Sequence, residues 1–136
     1  MKSGLGNLLI VDDDEATTQA FARMLILEGH HVTTANNAED GLREAEGRQL
    51  DAIILDLRMP LINGLGFLYR LRSRERHRST PVVVVTGDYC LNDEMTEELH
   101  ALGAEVRYKP LWLDDLADLA RALLGAGRGG SLSLPS

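Results

Sequence analysis

Three short apolar runs constrain this chain most: Leu8-Leu9-Ile10-Val11, Ala52-Ile53-Ile54-Leu55 and Val82-Val83-Val84-Val85. Each has the length of a strand, is enriched in β-branched residues and does not alternate with polar ones. That is the pattern of strands buried on both faces of a parallel sheet. Parallel neighbours need crossover connections, and these are almost always right-handed.

The segments between the runs supply the crossovers. Ala16 to Leu27 sets Ala20, Phe21, Met24, Leu25 and Leu27 at helical spacing, and Gly29 provides a stop. His31 to Ala35 reads as a more exposed strand, followed by a helix from Ala38 to Glu46 that ends at Gly47. A third helix runs from Gly64 to about Arg74 with Phe67, Leu68 and Leu71 inward, and a fourth from Asp93 to Leu102, stopped by Gly103. Glu105 to Lys109 is the last strand and Leu113 to Leu124 the last helix. A strand-helix unit repeated five times specifies an α/β, doubly wound, five-stranded parallel sheet with five flanking helices, and the expected strand order is 2-1-3-4-5.

At 136 residues one domain is expected, here residues 1–124, followed by a flexible Gly/Ser-rich tail over 125–136. Acidic residues outnumber basic ones by 21 to 14, a net charge of -7, which argues against direct nucleic-acid binding. The single cysteine, Cys90, cannot form an internal disulfide and reads as a small packing residue in a reducing compartment. The first residues lack a leader's apolar stretch and no run approaches the ~20 residues of a membrane helix, so a cytoplasmic protein is expected. Arg70, Arg72, Arg74, Arg76 and Arg78, with His77 among them, read as a solvated helix end, and His30, His31 and His100 as structural.

In an open parallel sheet, ligands bind beyond the carboxyl ends of the strands. Those ends carry Asp12-Asp13-Asp14, Asp56, Thr86-Gly87 and Lys109-Pro110. Converging carboxylates repel each other by roughly 1 kcal/mol per pair at 4 Å in water, and by about 4 kcal/mol at an effective dielectric of 20. A divalent cation relieves this, and an all-oxygen set without paired His or Cys favours Mg²⁺, with Mn²⁺ as substitute. Lysine and threonine at the same rim offer a cation and a hydroxyl donor to the terminal oxygens of a phosphoryl group.

Taken in order and spacing, Leu9-Ile10-Val11-Asp12-Asp13-Asp14, Ile54-Leu55-Asp56-Leu57-Arg58-Met59-Pro60 with Gly64, Val84-Val85-Thr86-Gly87 and Lys109-Pro110 resemble the receiver domains of two-component response regulators, over residues 8 to 124. The resemblance implies a flavodoxin-like fold and a phosphoaspartate switch, not an enzyme, that assists its own phosphorylation and dephosphorylation. Asp56 would be the phosphoacceptor, with Thr86 and Lys109 on the acquired group. Asp12, Asp13, Asp56 and the Arg58 carbonyl would hold Mg²⁺, Asp14 would cap the first helix, and the Lys109-Pro110 peptide would be cis. Implied partners are a histidine kinase or histidine phosphotransfer protein and a downstream protein reached through the face of the fourth helix, fifth strand and fifth helix. That face would also serve a homodimer.

The chain departs from the family pattern at Val106, where an aromatic residue is common, and Tyr108 on the same strand face is the candidate substitute. The segment between Gly103 and Lys109 is one residue shorter than is common, which leaves the register of the last strand open. Two other readings compete. Asp12-x-Asp14 could be the nucleophile and acid of a haloacid-dehalogenase-like phosphatase, although Ala16 stands where that motif needs threonine. A receiver-like module that is no longer phosphorylated is the other.

Overall fold

The computed structural model describes residues 6–59, 62–87 and 91–127. Five parallel strands, β1 (Asn7–Val11), β2 (His31–Ala35), β3 (Ala52–Asp56), β4 (Val82–Thr86) and β5 (Ala104–Tyr108), lie in the order β2-β1-β3-β4-β5. The helices are α1 (Glu15–Leu27), α2 (Ala38–Glu46), α3 (Gly64–Arg72), α4 (Asp93–Ala101) and α5 (Leu113–Gly127), with a 3-10 turn at Glu75–His77.

The unbroken apolar runs are explained by two cores. Leu9, Val11, Ile53, Leu55, Val82 and Val84 face Phe67, Leu68, Leu71 and Leu99. Their neighbours Leu8, Ile10, Ile54, Val83 and Val85 face Phe21, Leu25, Leu116 and Leu123 on the opposite side. Alternate residues of β1, β3 and β4 therefore enter different cores, and none can be polar without a cost until the strand leaves the sheet.

Three boundaries differ from the sequence reading. β5 is Ala104–Tyr108, one residue earlier than expected, because its ladder with β4 pairs Val82 with Ala104 and Thr86 with Tyr108. Lys109 consequently stands just past the strand. α5 continues through Gly125 to Gly127, into what was expected to be tail. α3 ends at Arg72, two residues before the expected end, with Ser73 as its cap. The helix stops at Gly29 and Gly103 are as expected, with φ of 103° and 80°, a conformation in which glycine carries no Cβ penalty. Pro60, Cys90 and the tail over 128–136 lie outside the described residues.

The basic stretch at the end of α3 is solvated only in part: Arg70, Arg76 and Arg78 are exposed, but Arg72 and His77 are built into the fold. Arg72 is partly buried, and its guanidinium donates to the carbonyls of Leu102 at 2.8 Å, His77 at 2.9 Å and Thr80 at 2.7 Å, joining the ends of α3 and α4 to the start of β4. His77 is 1% exposed and sits between the Ala45 carbonyl and the Thr80 hydroxyl. Arg76 donates to the carbonyls of Glu46 and Arg48 beyond α2. Helix ends leave carbonyls without intrahelical donors, and these cations supply them.

Candidate functional site

The parallel ladder brings the ends of β1, β3, β4 and β5 to one rim, and each delivers one part of the site. Asp12 follows β1 and Asp56 ends β3, and both residues are 5% exposed. Asp13 is exposed beside them, and one carboxylate oxygen from each of the three residues lies within 4.8 Å of the others. Lys109 reaches across from the end of β5, its Nζ 3.3 Å from Asp56 Oδ1 and 3.8 Å from Asp12 Oδ2. Thr86 is fully buried at the end of β4, and its carbonyl accepts the Lys109 backbone N–H at 2.8 Å. The Lys109-Pro110 peptide is cis.

Local chemistry explains each placement. Asp12 turns back on the chain, its Oδ1 accepting the Asp14 N–H at 2.9 Å. Asp14 accepts from the backbone of Ala16 and Thr17 and from the Thr17 hydroxyl, so it caps α1 as expected. These hydrogen bonds hold the Asp14 carboxyl below its usual value, which suits a cap and argues against the general acid of the phosphatase reading. Asp56 is held from behind by Gly64, whose N–H donates to Leu57 O at 2.8 Å. A Cβ at Gly64 would fall 2.8 Å from the Asp56 carbonyl oxygen and 2.9 Å from Leu57 Cα, so only glycine permits this approach.

The electrostatics are those of a crowded acidic site with a single lysine. Burial, with the Asp12 charge added, raises the Asp56 carboxyl to about 6 even though Lys109 pulls it down. Asp12 is also raised, mainly by burial. Burial alone would lower the Lys109 ammonium, but Asp12 and Asp56 outweigh it and hold the group above its usual value. An open cleft lined by Asp12, Asp13, Asp56, Arg58, Gly87 and Lys109 leads to the cluster. Clustered carboxylates that repel, with only hard oxygen donors at hand, fit a divalent cation such as Mg²⁺.

Every candidate named from the sequence, Asp12, Asp13, Asp56, Arg58, Thr86 and Lys109, is at this rim. At the position where an aromatic residue is common, Val106 pairs with Val84 and packs on the core, while Tyr108 pairs with Thr86 and is 43% exposed. The sequence does not single out Asn36, whose side-chain amide donates to the Asp12 carbonyl at 2.9 Å. Its only signal is an Asn-Asn pair after β2, which reads equally well as a helix cap.

The model of the response regulator receiver domain matches residues 8–121. The sensory/regulatory protein RpfC of Xanthomonas campestris pv. campestris is 38% identical over 120 residues, covering 83% of this chain and 16% of that protein. The transcriptional regulatory protein PrrA of Mycobacterium tuberculosis is 32% identical over 117 residues, 86% of this chain and 49% of PrrA. The chain thus spans half or less of these relatives. The solved chemotaxis protein CheY4 of Vibrio cholerae superposes with a TM-score of 0.81 at 27% identity, covering 88% of this chain and 99% of CheY4. The receiver domain of sensor histidine kinase PA1611 from Pseudomonas aeruginosa, with magnesium coordinated in its active-site cleft, gives 0.77 at 25% identity, covering 88% and 97%. By family match, identity and fold together, this chain belongs to the response regulator receiver domains, the phosphoaspartate switches of two-component signalling.

Proposed function

We propose that Asp56 is the phosphoacceptor of this receiver domain and that a histidine kinase or histidine phosphotransfer protein is the donor. The observation that carries the reading is the position of Lys109 Nζ, 3.3 Å from Asp56 and 3.8 Å from Asp12, at the mouth of a cleft open to a donor. An Asp56 oxygen attacks the phosphorus of a phosphohistidine or small acyl phosphate. The P–N or P–O bond to the donor breaks, the donor leaves with its electron pair, and an acyl phosphate forms on Asp56.

The residues divide the work. A carboxyl titrating at about 6 is mostly ionised at neutral pH, so Asp56 is available as the nucleophile. Lys109 follows the charge from the carboxylate onto the phosphoryl oxygens, and the Thr86 hydroxyl donates to one of them. Asp12, Asp13, Asp56 and the Arg58 carbonyl would hold Mg²⁺, or Mn²⁺ in its place. When bound, the ion supplies charge neutralisation between the carboxylates and the incoming group. The protein is substrate and partial catalyst, so it is not an enzyme in the metabolic sense, and we assign it to the cytoplasm.

The signal leaves through α4, β5 and α5. Thr86 leads into α4, and Lys109 connects β5 to α5, so a contact from either to the phosphoryl group biases that face toward a downstream protein or a second copy. Intact-mass measurement with acetyl phosphate and Mg²⁺ tests the core of the reading. One phosphoryl group is expected on the wild type, none on Asp56→Asn, and slowed addition on Asp12→Asn. Full labelling of Asp56→Asn would overturn it.

A further inference from the structure

We propose that Asn36, at the end of β2, is a positioning residue for the carboxylate cluster, acting through the peptide between Asp12 and Asp13. The inference rests on the assignment of Asp12 and Asp13 to the Mg²⁺ site.

The β1–β2 ladder pairs Val11 with Ala35, and its last rung is the Asp12 N–H donating to Ala35 O at 3.1 Å. Beyond that rung β2 gives way to α2, so no further backbone N–H of β2 continues the ladder to the Asp12 carbonyl. The Asn36 amide takes that place, with Nδ2 donating to Asp12 O at 2.9 Å and to Thr18 Oγ1 at 3.3 Å. Thr18 is 2% exposed, and its hydroxyl donates on to the Glu15 carbonyl at 2.8 Å. One surface side chain therefore ties β2, β1 and α1 together directly behind the acidic turn.

The peptide plane is rigid, so fixing the Asp12 carbonyl fixes the rotation of the whole unit joining Asp12 to Asp13. That rotation places the Asp13 N–Cα bond and so, with the Asp13 φ, sets where its Cα–Cβ bond points relative to Asp12 and Asp56. Asp13 is exposed and cannot rely on packing to aim it. A carbonyl can only accept, so a donor is required at position 36, and an isostere without N–H cannot replace it. Groups that orient metal ligands from behind typically change affinity by about 10- to 100-fold when removed.

Adjacent Asn37 provides an internal control. It caps α2 by accepting the Asp40 N–H at 2.7 Å, and no hydrogen bond links its side chain to Asp12. The experiment is calorimetric titration of Mg²⁺ into the unphosphorylated full chain, with the Asp13 amide shift followed in parallel. Asn36→Leu and Asn36→Ala should weaken Mg²⁺ about tenfold and move the metal-free Asp13 amide, while Asn36→Gln recovers part of the affinity. Thr18→Val, which removes the second acceptor with little change of shape, should weaken binding by less and guards against a position-36 variant that fails to fold. Asn37→Ala should lower stability and leave Mg²⁺ affinity unchanged. Affinity within about twofold of wild type in Asn36→Leu, alongside a weakened Asp13→Asn, would overturn the role of Asn36 alone. If Asp13→Asn also bound Mg²⁺ like the wild type, the metal assignment itself would fall and this inference with it.

Discussion

Lys109 Nζ lies 0.5 Å closer to Asp56 than to Asp12, at 3.3 and 3.8 Å, so one ammonium serves two buried carboxylates. Two anions sharing one cation leave a net negative charge at the rim, and that imbalance governs both the stability and the chemistry of the metal-free protein.

Its first consequence is a pH dependence. The folded Asp56 carboxyl titrates at about 6 against an ordinary 3.8, so between those values the folded chain binds more protons than the unfolded one. Stability contributed through this group therefore falls as pH rises from about 4 through 6, by up to roughly 3 kcal/mol. Asp12 acts in the same direction. Asp56→Asn should stabilise the metal-free protein at pH 7.5 by about 1–3 kcal/mol and have little effect at pH 4. Urea denaturation in EDTA at the two pH values checks this, and a destabilised Asp56→Asn at pH 7.5 would contradict it.

Mg²⁺ should reverse the same imbalance. At ten times its dissociation constant a ligand specific to the folded state adds about 1.4 kcal/mol, and the gain should shrink at pH 5, where protons compete for Asp56. Asp13→Asn should lose most of the gain. Thermal melts with Mg²⁺ and with EDTA provide the measurement, and equal melts in the two would count against a site at this cluster.

Arg72 should be the most sensitive arginine of its stretch. Replacing it by methionine leaves the Leu102, His77 and Thr80 carbonyls without their donor, at a cost of about 2–4 kcal/mol. Exposed Arg78, changed to alanine, should stay within about 0.5 kcal/mol of wild type. Chemical denaturation of both variants decides whether the basic stretch is structural or merely solvated.

The contrast between these arginines shows what the sequence made legible. The strands were readable because burial on both faces leaves room only for apolar residues in β1, β3 and β4, except at their ends at Asn7, Asp56 and Thr86. The site was readable because Asp12, Asp56, Thr86 and Lys109 each mark the point where a strand leaves the sheet. The end of β5 was harder: Glu105, Val106, Arg107 and Tyr108 mix charge with apolar groups on an edge strand, so periodicity could not fix its first residue. Arg72 and His77 were misread because a local basic run gives no hint that carbonyls from α4 and β4 fold back over it. Asn36 was invisible for a similar reason, since its partners are 24 and 18 positions away.

Gly64 tests how closely the backbone supports the acceptor. An added Cβ meets the Asp56 carbonyl oxygen at 2.8 Å, and backbone on both sides must give way. Gly64→Ala should destabilise by about 1–3 kcal/mol and slow phosphorylation from acetyl phosphate. Gly47→Ala, where a Cβ meets nothing within 4 Å, should do neither. Labelling kinetics together with denaturation would separate a displaced acceptor from simple loss of fold.

The most direct test of the account is to locate the phosphoryl group. Borohydride reduces an acyl phosphate to the corresponding alcohol, so treating the labelled protein and sequencing its peptides marks the acceptor as homoserine. Homoserine is expected at position 56 and at no other aspartate. Homoserine at Asp12 or Asp13, with Asp56 intact, would contradict it.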